Sequence, residues 1–330
     1  MESTPVSTDI LFNIESEEEF NACAIEVFHY QKKANAVYKE YLTHIGKENL
    51  VPKQYTEIPF LPISFFKTHH VSCIKGEPEV VFSSSGTTGS ITSKHPLYDT
   101  DIYIESFRKA FQLFYPNSTE YCILALLPSY LERTGSSLIY MVEDLIKTSQ
   151  HPDSGFYLYE HKALKEKLDQ LEKSGKKTIL FGVSFALLDF FEAYPSELKN
   201  TTIIETGGMK GRRKELIRDE LHGILKKQTK LPLINSEYGM TELLSQAYSI
   251  GHGIFNCPPW MKVLARDPEN PLELTGKKHG AINIIDLANI QSCAFIATQD
   301  LGTFYPNGSF EIMGRFDHSD IRGCNLMVIK

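Results

Sequence analysis

Between residues 100 and 236 the chain alternates short apolar runs with longer stretches of helical periodicity. A continuous apolar run such as Tyr121–Leu127 is typical of a strand that is covered on both faces. Repeated strand–loop–helix units predict a parallel sheet packed between helices, so the expected fold class is α/β. The predicted helices are Thr100–Phe114, Ser137–Lys147, Lys162–Lys173, Phe185–Glu192 and Arg213–Lys227, and the predicted strands are Tyr121–Leu127, Thr178–Val183, Thr201–Glu205 and Leu231–Ser236.

Outside this region the pattern differs at both ends. Glu17–Tyr41 has apolar residues at helical spacing, which predicts one long amphipathic helix. Pro52, Pro59 and Pro62 exclude a helix in the segment that follows and favour an edge strand or a binding loop. From Gly251 onward, short strands separated by Pro and Gly turns predict an antiparallel, barrel-like part.

The composition excludes some classes of protein. The 330 residues include 34 Lys and Arg against 41 Asp and Glu, a formal net charge of −7, which argues against an extended nucleic-acid surface. The chain does not open on a basic segment followed by an apolar run, and no apolar stretch reaches the length of a membrane span. Six scattered cysteines without a C-x-x-C pair are expected to be reduced. We therefore expect a cytoplasmic protein with neither a membrane span nor a nucleic-acid partner.

A loop rich in hydroxyl groups and glycine follows a short apolar strand at Val80–Phe82. Its glycines allow positive φ angles and a close backbone approach, so that the exposed amides can form an anion nest. With the added charge of Lys94, a candidate catalytic residue, this composition predicts a loop that wraps a polyphosphate. The loop matches neither the Walker motif nor G-x-G-x-x-G, and a flexible turn is the alternative. The candidate phosphate-binding residues are Ser84, Ser85, Gly86, Thr87, Thr88 and Gly89.

Two further segments carry candidate binding residues. Y-G-M-T-E at 238–242 follows a predicted strand and combines a hydroxyl and a carboxylate, which can hold a phosphate and Mg²⁺, with a ring that can stack on a base. T-Q-D-L-G at 298–302 is followed by G-R-F-D at 314–317. The first segment could also be an ordinary turn before a helix, and the charges of the second could form surface salt bridges.

In their order and spacing, these motifs resemble those of the adenylate-forming enzymes, the superfamily of acyl-CoA synthetases, luciferases and adenylation domains. The resemblance implies an adenylate-forming large N-terminal domain, built of stacked βαβ sheets plus a small barrel-like β part, and the cofactors ATP and Mg²⁺. It assigns Tyr238 to the adenine, with Gly239 in the same turn. It also assigns Thr241 to the α-phosphate and Glu242 to the metal, both as catalytic residues.

The same resemblance implies the remaining nucleotide contacts. Asp300 would bind the ribose hydroxyls, and Arg315 would bind the ribose or a phosphate. Gly207 and Gly208 resemble the loop that lies against the adenine. Gln299 replaces the glycine that is usual in the superfamily.

The segments S-Q-A-Y-S, G-I-F-N-C-P-P-W-M-K-V-L-A-R-D-P and I-R-G-C-N-L-M, together with a short C-terminus, resemble the acyl-protein synthetase family of bacterial luminescence (LuxE). Phenylacetate-CoA ligases are near relatives of that family. The expected organisation is an AMP-binding domain at 1–310 and a short hinge and tail at 311–330 that carries Cys324. The small C-terminal domain that supplies a catalytic lysine in most of the superfamily is expected to be absent.

The LuxE resemblance implies that a fatty or other carboxylic acid is activated as its acyl adenylate and then passed to Cys324 as a thioester. Arg322 could favour the thiolate form of this cysteine. Onward transfer to a reductase or a carrier protein is implied as well. An apolar acyl pocket is expected around Phe181, Gly182, Phe185, Ala186 and Leu187.

Three alternatives remain open from the sequence. Coenzyme A could replace Cys324 as the acyl acceptor, which would make the chain an acyl- or aryl-CoA ligase. Cys324 could be an inert core cysteine. The chain could also be a nucleotide-binding partner protein without catalytic activity.

Overall fold

The structure is a computed structural model that describes residues 5–84, 91–128, 135–207 and 216–315. The helices in chain order are α1 Thr8–Leu11, α2 Glu17–Ala34, α3 Ala36–His44, α4 Phe65–Thr68, α5 Thr100–Phe114, α6 Ser137–Ser149, α7 His161–Ser174, α8 Ser184–Ala193 and α9 Arg218–Thr229. The strands are β1 Leu61–Pro62, β2 Val80–Ser83, β3 Lys94–Leu97, β4 Cys122–Leu126, β5 Gly155–Tyr157, β6 Thr178–Val183, β7 Thr201–Thr206, β8 Asn235–Tyr238, β9 Ala247–Ser249, β10 Met261–Arg266, β11 His279–Asp286, β12 Phe295–Phe304 and β13 Phe310–Arg315.

A six-stranded sheet with the order β5-β4-β6-β7-β8-β9 forms the centre of the described structure. Strands β5, β4, β6, β7 and β8 pair in parallel, and β9 is antiparallel to β8 at the edge. All residues of β4 and β6 are buried, as their continuous apolar runs predict. The α/β class is therefore confirmed, and the carboxyl ends of β6, β7 and β8 bring Ser184, Gly207 and Tyr238 to one edge of the sheet.

A second sheet is mainly antiparallel, as predicted for the chain beyond Gly251. Its order is β1-β12-β11-β10, with β13 also paired to β12. Pro62 lies in β1, which pairs in parallel with β12 at the edge, where a missing N–H is tolerated. Residues 316–330 lie outside the described residues, so the division into 1–310 and 311–330 stays a prediction.

The prediction of one helix over Glu17–Tyr41 is wrong, because Asn35 separates α2 from α3. Asn35 is fully buried and extended, with φ −90° and ψ 106°. Its side-chain amide donates to the Ser292 carbonyl at 2.8 Å, and its amide oxygen accepts from the Tyr38 N–H at 3.0 Å. A tertiary hydrogen bond and a helix cap therefore break a continuous helical pattern.

Two other elements begin several residues later than predicted. Helix α9 begins at Arg218 rather than at Arg213, since residues 216 and 217 are not helical. Strand β8 spans Asn235–Tyr238 rather than Leu231–Ser236, in part because Pro232 has no N–H to donate to a ladder. Tyr238 is consequently the last residue of a strand and not part of the turn that follows it. Among the helices of the described ranges, none combines the length and apolar character needed to cross a bilayer.

Candidate active site

The hairpin of β2 and β3 forms the base of the hydroxyl-rich loop. Ser83 pairs with Lys94 at its end. Ser84 then donates its N–H to the Ser93 carbonyl at 3.0 Å and accepts the Ser93 N–H on its hydroxyl at 2.9 Å. Ser84 thus closes the base of the loop, and Lys94 is exposed beside it. The predicted phosphate contacts Ser85, Gly86, Thr87, Thr88 and Gly89 lie outside the described residues.

His95, which the sequence patterns did not indicate, joins this hairpin to the second motif. Its Nδ1 lies 2.9 Å from the Thr241 carbonyl oxygen, and its Nε2 lies 2.8 Å from the Ser292 hydroxyl. Because a carbonyl only accepts, Nδ1 carries the proton and Nε2 accepts from Ser292. Burial lowers the pKa of His95 to about 4, although the hydrogen bond to Thr241 opposes the shift. The imidazole is therefore neutral near pH 7 and fixes Thr241 relative to the loop.

Tyr238, Asp300 and Arg315, predicted from separate motifs, are in direct contact. The Tyr238 hydroxyl donates to one oxygen of the Asp300 carboxylate at 2.7 Å. The Arg315 Nε donates to the other oxygen at 3.1 Å. Asp300 is buried, whereas the Arg315 side chain is 66% exposed. Burial, followed by the charge of Asp300, raises the pKa of Tyr238 well above its usual value, so its hydroxyl stays protonated and donates.

Glu242 connects the base of the loop to this group. Its carboxyl group is buried, and burial raises its pKa. A hydrogen bond from Ser93 and the positive charges of Arg315 and Lys67 partly offset that rise. The buried Glu242 carboxyl group is thus close both to Ser93 at the loop base and to Arg315 of the cluster.

Two buried side chains hold the backbone just after Thr241, and neither belongs to a motif. Asn289 donates its amide to the Glu242 carbonyl at 2.7 Å. The Asp286 carboxylate accepts the N–H groups of Leu244 and Ser245 at 2.8 and 2.9 Å. These long-range hydrogen bonds make the turn that carries Glu242 a fixed part of the core.

Gly239 is required by a close contact and not only by the turn. A Cβ atom at this position would lie 2.4 Å from Oε1 of Glu237. Glu237 is buried beside Glu205 and accepts a hydrogen bond from Thr206. Burial and the charge of Glu205 raise the pKa of Glu237 to about 7, although the Thr206 hydrogen bond lowers it.

Gly207 directly follows β7 with φ +69°, a conformation that favours glycine. Its carbonyl accepts the Ser184 hydroxyl at 2.9 Å, which ties the loop after β7 to the start of α8. Gly208 lies outside the described residues.

The expected acyl pocket is closed in this structure. The predicted lining side chains Phe181, Phe185, Ala186 and Leu187 are at most 2% exposed. The Leu187 side chain covers Gly182, where a Cβ atom would lie 2.5 Å from it. A basic cavity of about 460 Å³ lies instead beside the start of β3, lined by Phe66, Lys67, Thr68, His69, His70, Ile91, Thr92 and Lys94.

The described cysteines are poor candidates for a nucleophile. Burial raises the pKa of each, for example to about 11 for Cys122 and to about 12 for Cys257 and Cys293. A thiol with a raised pKa carries little thiolate near neutral pH. Cys324 lies outside the described residues.

Solved structures similar to this fold are adenylate-forming enzymes. ATP-bound MatB from Rhodopseudomonas palustris superposes with a TM-score of 0.54 at 16% identity, over 73% of this chain and 49% of that chain. The chain thus spans about half the length of MatB. A 2-hydroxyisobutyryl-CoA ligase in the postadenylation state superposes with a TM-score of 0.63 at 10% identity, over 91% of this chain and 68% of that one. The predicted adenylate-forming fold is confirmed.

Sequence comparison identifies the family. A long-chain-fatty-acid–luciferin-component ligase from Aliivibrio fischeri is 26% identical over 91% of this chain and 85% of its own length. The family model described as "Acyl-protein synthetase, LuxE" matches residues 7–330, nearly the whole chain. The chain therefore belongs to the LuxE acyl-protein synthetase family, as the motifs predicted.

Proposed function

We propose that this protein is an ATP-dependent ligase that activates a carboxylic acid as an acyl adenylate and then carries the acyl group as a thioester on Cys324. The observation that carries the proposal is the meeting of three distant motifs. Tyr238 and Arg315 both bond Asp300, and Glu242 bonds Ser93 at the base of the loop. The relative from Aliivibrio fischeri is named for a long-chain fatty acid, which makes such an acid the proposed substrate.

The contacts on Asp300 suit a site for the nucleoside part of ATP. A carboxylate has about four lone-pair positions, and Tyr238 and Arg315 use one on each oxygen. The others can accept from ribose hydroxyl groups. The hydrogen bond from the Tyr238 hydroxyl to Asp300 fixes the position of the Tyr238 ring, on which the adenine would stack.

The charged groups around the loop suit the phosphates. In the first step a carboxylate oxygen of the acid attacks the α-phosphorus, and the bond to the β-phosphate oxygen breaks, which releases pyrophosphate. Lys94 and Lys67 line the basic cavity at the loop base and can compensate the charge of the phosphates. Thr241, fixed by His95, is the proposed contact to the α-phosphate.

The proposed metal is Mg²⁺, and the donors present fit it. Mg²⁺ is usually held by one or two carboxylates together with substrate phosphates and water. Glu242 offers one buried carboxylate beside the loop. Within the described ranges, no group of three or more His, Cys, Asp or Glu side chains could hold an ion by itself. Bound to Glu242, Mg²⁺ would neutralise charge on the phosphates.

In the second step the Cys324 thiolate attacks the acyl carbon, and the bond to the AMP oxygen breaks, so that a thioester and AMP result. The raised pKa values of the five described cysteines support an acceptor elsewhere in the chain. Arg315 bonds Asp300, and nine further residues lead to Cys324. Nine residues span at most about 30 Å, which is enough to reach the site. From Cys324 the acyl group would pass to a reductase or a carrier protein.

The first experiment tests acyl transfer. The protein is incubated with ATP, Mg²⁺ and a radiolabelled long-chain fatty acid, and is then denatured and separated from free acid. Label is expected on wild-type protein and on the matched control Cys257→Ser, and is expected to be absent from Cys324→Ser. Label in the Cys324→Ser variant would refute the assignment of this cysteine, and full activity of that variant with coenzyme A would identify an acyl-CoA ligase instead.

The second experiment tests activation alone. Exchange of labelled pyrophosphate into ATP needs only the first step, and it is expected to depend on the added fatty acid and to persist in Cys324→Ser. Absence of exchange with acids from short to long chain would contradict an enzymatic role.

A further inference from the structure

Arg218 connects Glu205 of the six-stranded sheet to the Phe255 ring, next to Tyr238. It is the first residue of α9, and its side chain is 23% exposed. Its Nε donates to Oε1 of Glu205 in β7 at 3.1 Å. A Cβ atom at Gly253 would lie 3.1 Å from Cδ of Arg218, so the side chain passes closely over a glycine.

The other side of the Arg218 guanidinium faces an aromatic ring. Its Cζ lies 4.8 Å from the centroid of the Phe255 ring, within the range of a cation–π contact. Phe255 is fully buried and stacks on Phe310 of β13, with centroids 5.5 Å apart and planes at 27°. The backbones of these two residues exchange hydrogen bonds of 2.7 and 3.0 Å. The guanidinium therefore packs on a rigid pair of rings.

This pair of rings supports Tyr238. The Tyr238 ring centroid lies 5.9 Å from that of Phe255 and 5.7 Å from that of Phe310. With its hydroxyl bonded to Asp300, the Tyr238 ring is held at both ends. A change in the position of Phe255 would therefore tilt the Tyr238 ring.

Glu205 fixes Arg218 in turn. Burial by itself would raise the pKa of Glu205, but a hydrogen bond from His222 and the charges of Arg218 and His222 bring it down to about 2. The Ser184 hydroxyl lies 3.0 Å from its other oxygen and shares its one proton between this carboxylate and the Gly207 carbonyl. The carboxylate is thus ionised at neutral pH and offers Arg218 a fixed anionic partner.

We propose that Arg218, held by Glu205, is a positioning residue of the nucleotide site that acts through Phe255 on the Tyr238 ring. The proposal rests on the proposed function, in which Tyr238 packs on the adenine. Because Arg218 acts on the bound base and not on the reacting atoms, its loss is expected to weaken nucleotide binding and to leave the rate of the chemical step nearly unchanged.

The test compares Arg218→Met and Arg218→Lys with the control Arg108→Met. Arg108 also pairs with a single acid, Asp144, through two hydrogen bonds of 2.7 Å, but it lies on α5 and contacts none of the residues that support Tyr238. The dissociation constant for ATP is measured by calorimetry, and kcat and KM for ATP by fatty-acid-dependent pyrophosphate exchange. Circular dichroism checks that each variant is folded.

Arg218→Met is expected to raise the dissociation constant and KM for ATP about tenfold and to change kcat less than about twofold. Arg218→Lys keeps the charge but cannot both bond Glu205 and cover the Phe255 ring, so it is expected to recover only part of the affinity. Arg108→Met is expected to behave as wild type. Unchanged ATP affinity in Arg218→Met, or a fall in kcat without a rise in KM, would overturn the proposal.

A second variant separates positioning from direct contact with the ligand. Phe255→Leu removes the ring but keeps an apolar side chain, and it is expected to raise KM for ATP as Arg218→Met does. If Arg218 acts through Phe255, the double variant is no worse than either single variant. If the increases in KM caused by the two single variants multiply in the double variant, Arg218 does not act through Phe255. Wild-type protein that binds no ATP would refute the proposed function itself, whereas ATP binding that Arg218→Met leaves unchanged refutes only the role of Arg218.

Discussion

Replacing His95 with glutamine is expected to change how the stability of the protein depends on pH. The folded state holds His95 neutral because it is buried, with Nδ1–H bonded to Thr241 and Nε2 accepting from Ser292. Its pKa falls from the usual 6.5 to about 4. Glutamine can still donate to a carbonyl but does not titrate in this range.

The sign of the effect follows from which state binds the proton. Between pH 6.5 and pH 4 the unfolded chain is protonated at residue 95 and the folded protein is not, so the wild type loses stability as the pH falls through this window. The loss reaches about 3 kcal/mol near pH 4 and levels off below that pH. For a protein of 330 residues that corresponds to about 4 °C in Tm.

Thermal unfolding of the wild type and His95→Gln at pH 7, 6, 5 and 4 measures the effect. The variant is expected to be less stable at pH 7, and the difference from wild type is expected to shrink by about 3 kcal/mol at pH 4. Other titrating groups are present in both proteins and cancel in the difference. The exposed His29, changed to Gln, is the control and should follow the wild type. A difference between wild type and His95→Gln that stays constant with pH would refute a neutral, buried His95.

Three further variants test the geometry of the site. Gly239→Ala places a methyl group against Glu237 and is expected to cost about 1–3 kcal/mol of stability in urea unfolding and to reduce pyrophosphate exchange; wild-type values in both assays would contradict the contact. Tyr238→Phe leaves Asp300 with one donor fewer and is expected to cost about 1–2 kcal/mol and to raise KM for ATP; an unchanged KM would argue against a role for this hydrogen bond at the nucleotide site. Asp286→Ala leaves two buried backbone N–H groups without their acceptor and is expected to cost more than about 2 kcal/mol, which calorimetric unfolding would detect; a loss below that would mean that the turn does not depend on them.

Much of the fold was predictable because a strand that is buried on both faces appears in the sequence as a continuous apolar run. The run Tyr121–Leu127 and the strand β4 agree to within one residue at each end, and the prediction of β6 agrees in full. The position of the Tyr238 motif at an edge of the sheet was predictable for a related reason. Parallel strands end at one edge of a sheet, so residues that follow them come together whatever their distance along the chain. Tyr238 is an example, although the strand that carries it was predicted several residues too early.

The residues that fix the site could not be predicted in this way. His95 bonds partners 146 and 197 residues away, and nothing in the sequence around it distinguishes it from a surface histidine. In the sequence, Asp286 and Asn289 resemble ordinary turn residues. They become partners for the backbone after Thr241 only when the six-stranded sheet packs against the sheet that contains β11.

The sequence by itself therefore determined the α/β class, the family and the motifs that meet at Asp300, because periodicity, apolar runs and local motifs are properties of neighbouring residues. Only the tertiary structure decided the break at Asn35, the place of Tyr238 at the end of β8, and the contacts of His95 and Arg218. Each of these depends on a hydrogen bond, a ring contact or a buried charge between residues far apart in the chain, and such a contact leaves no periodic signal in the sequence.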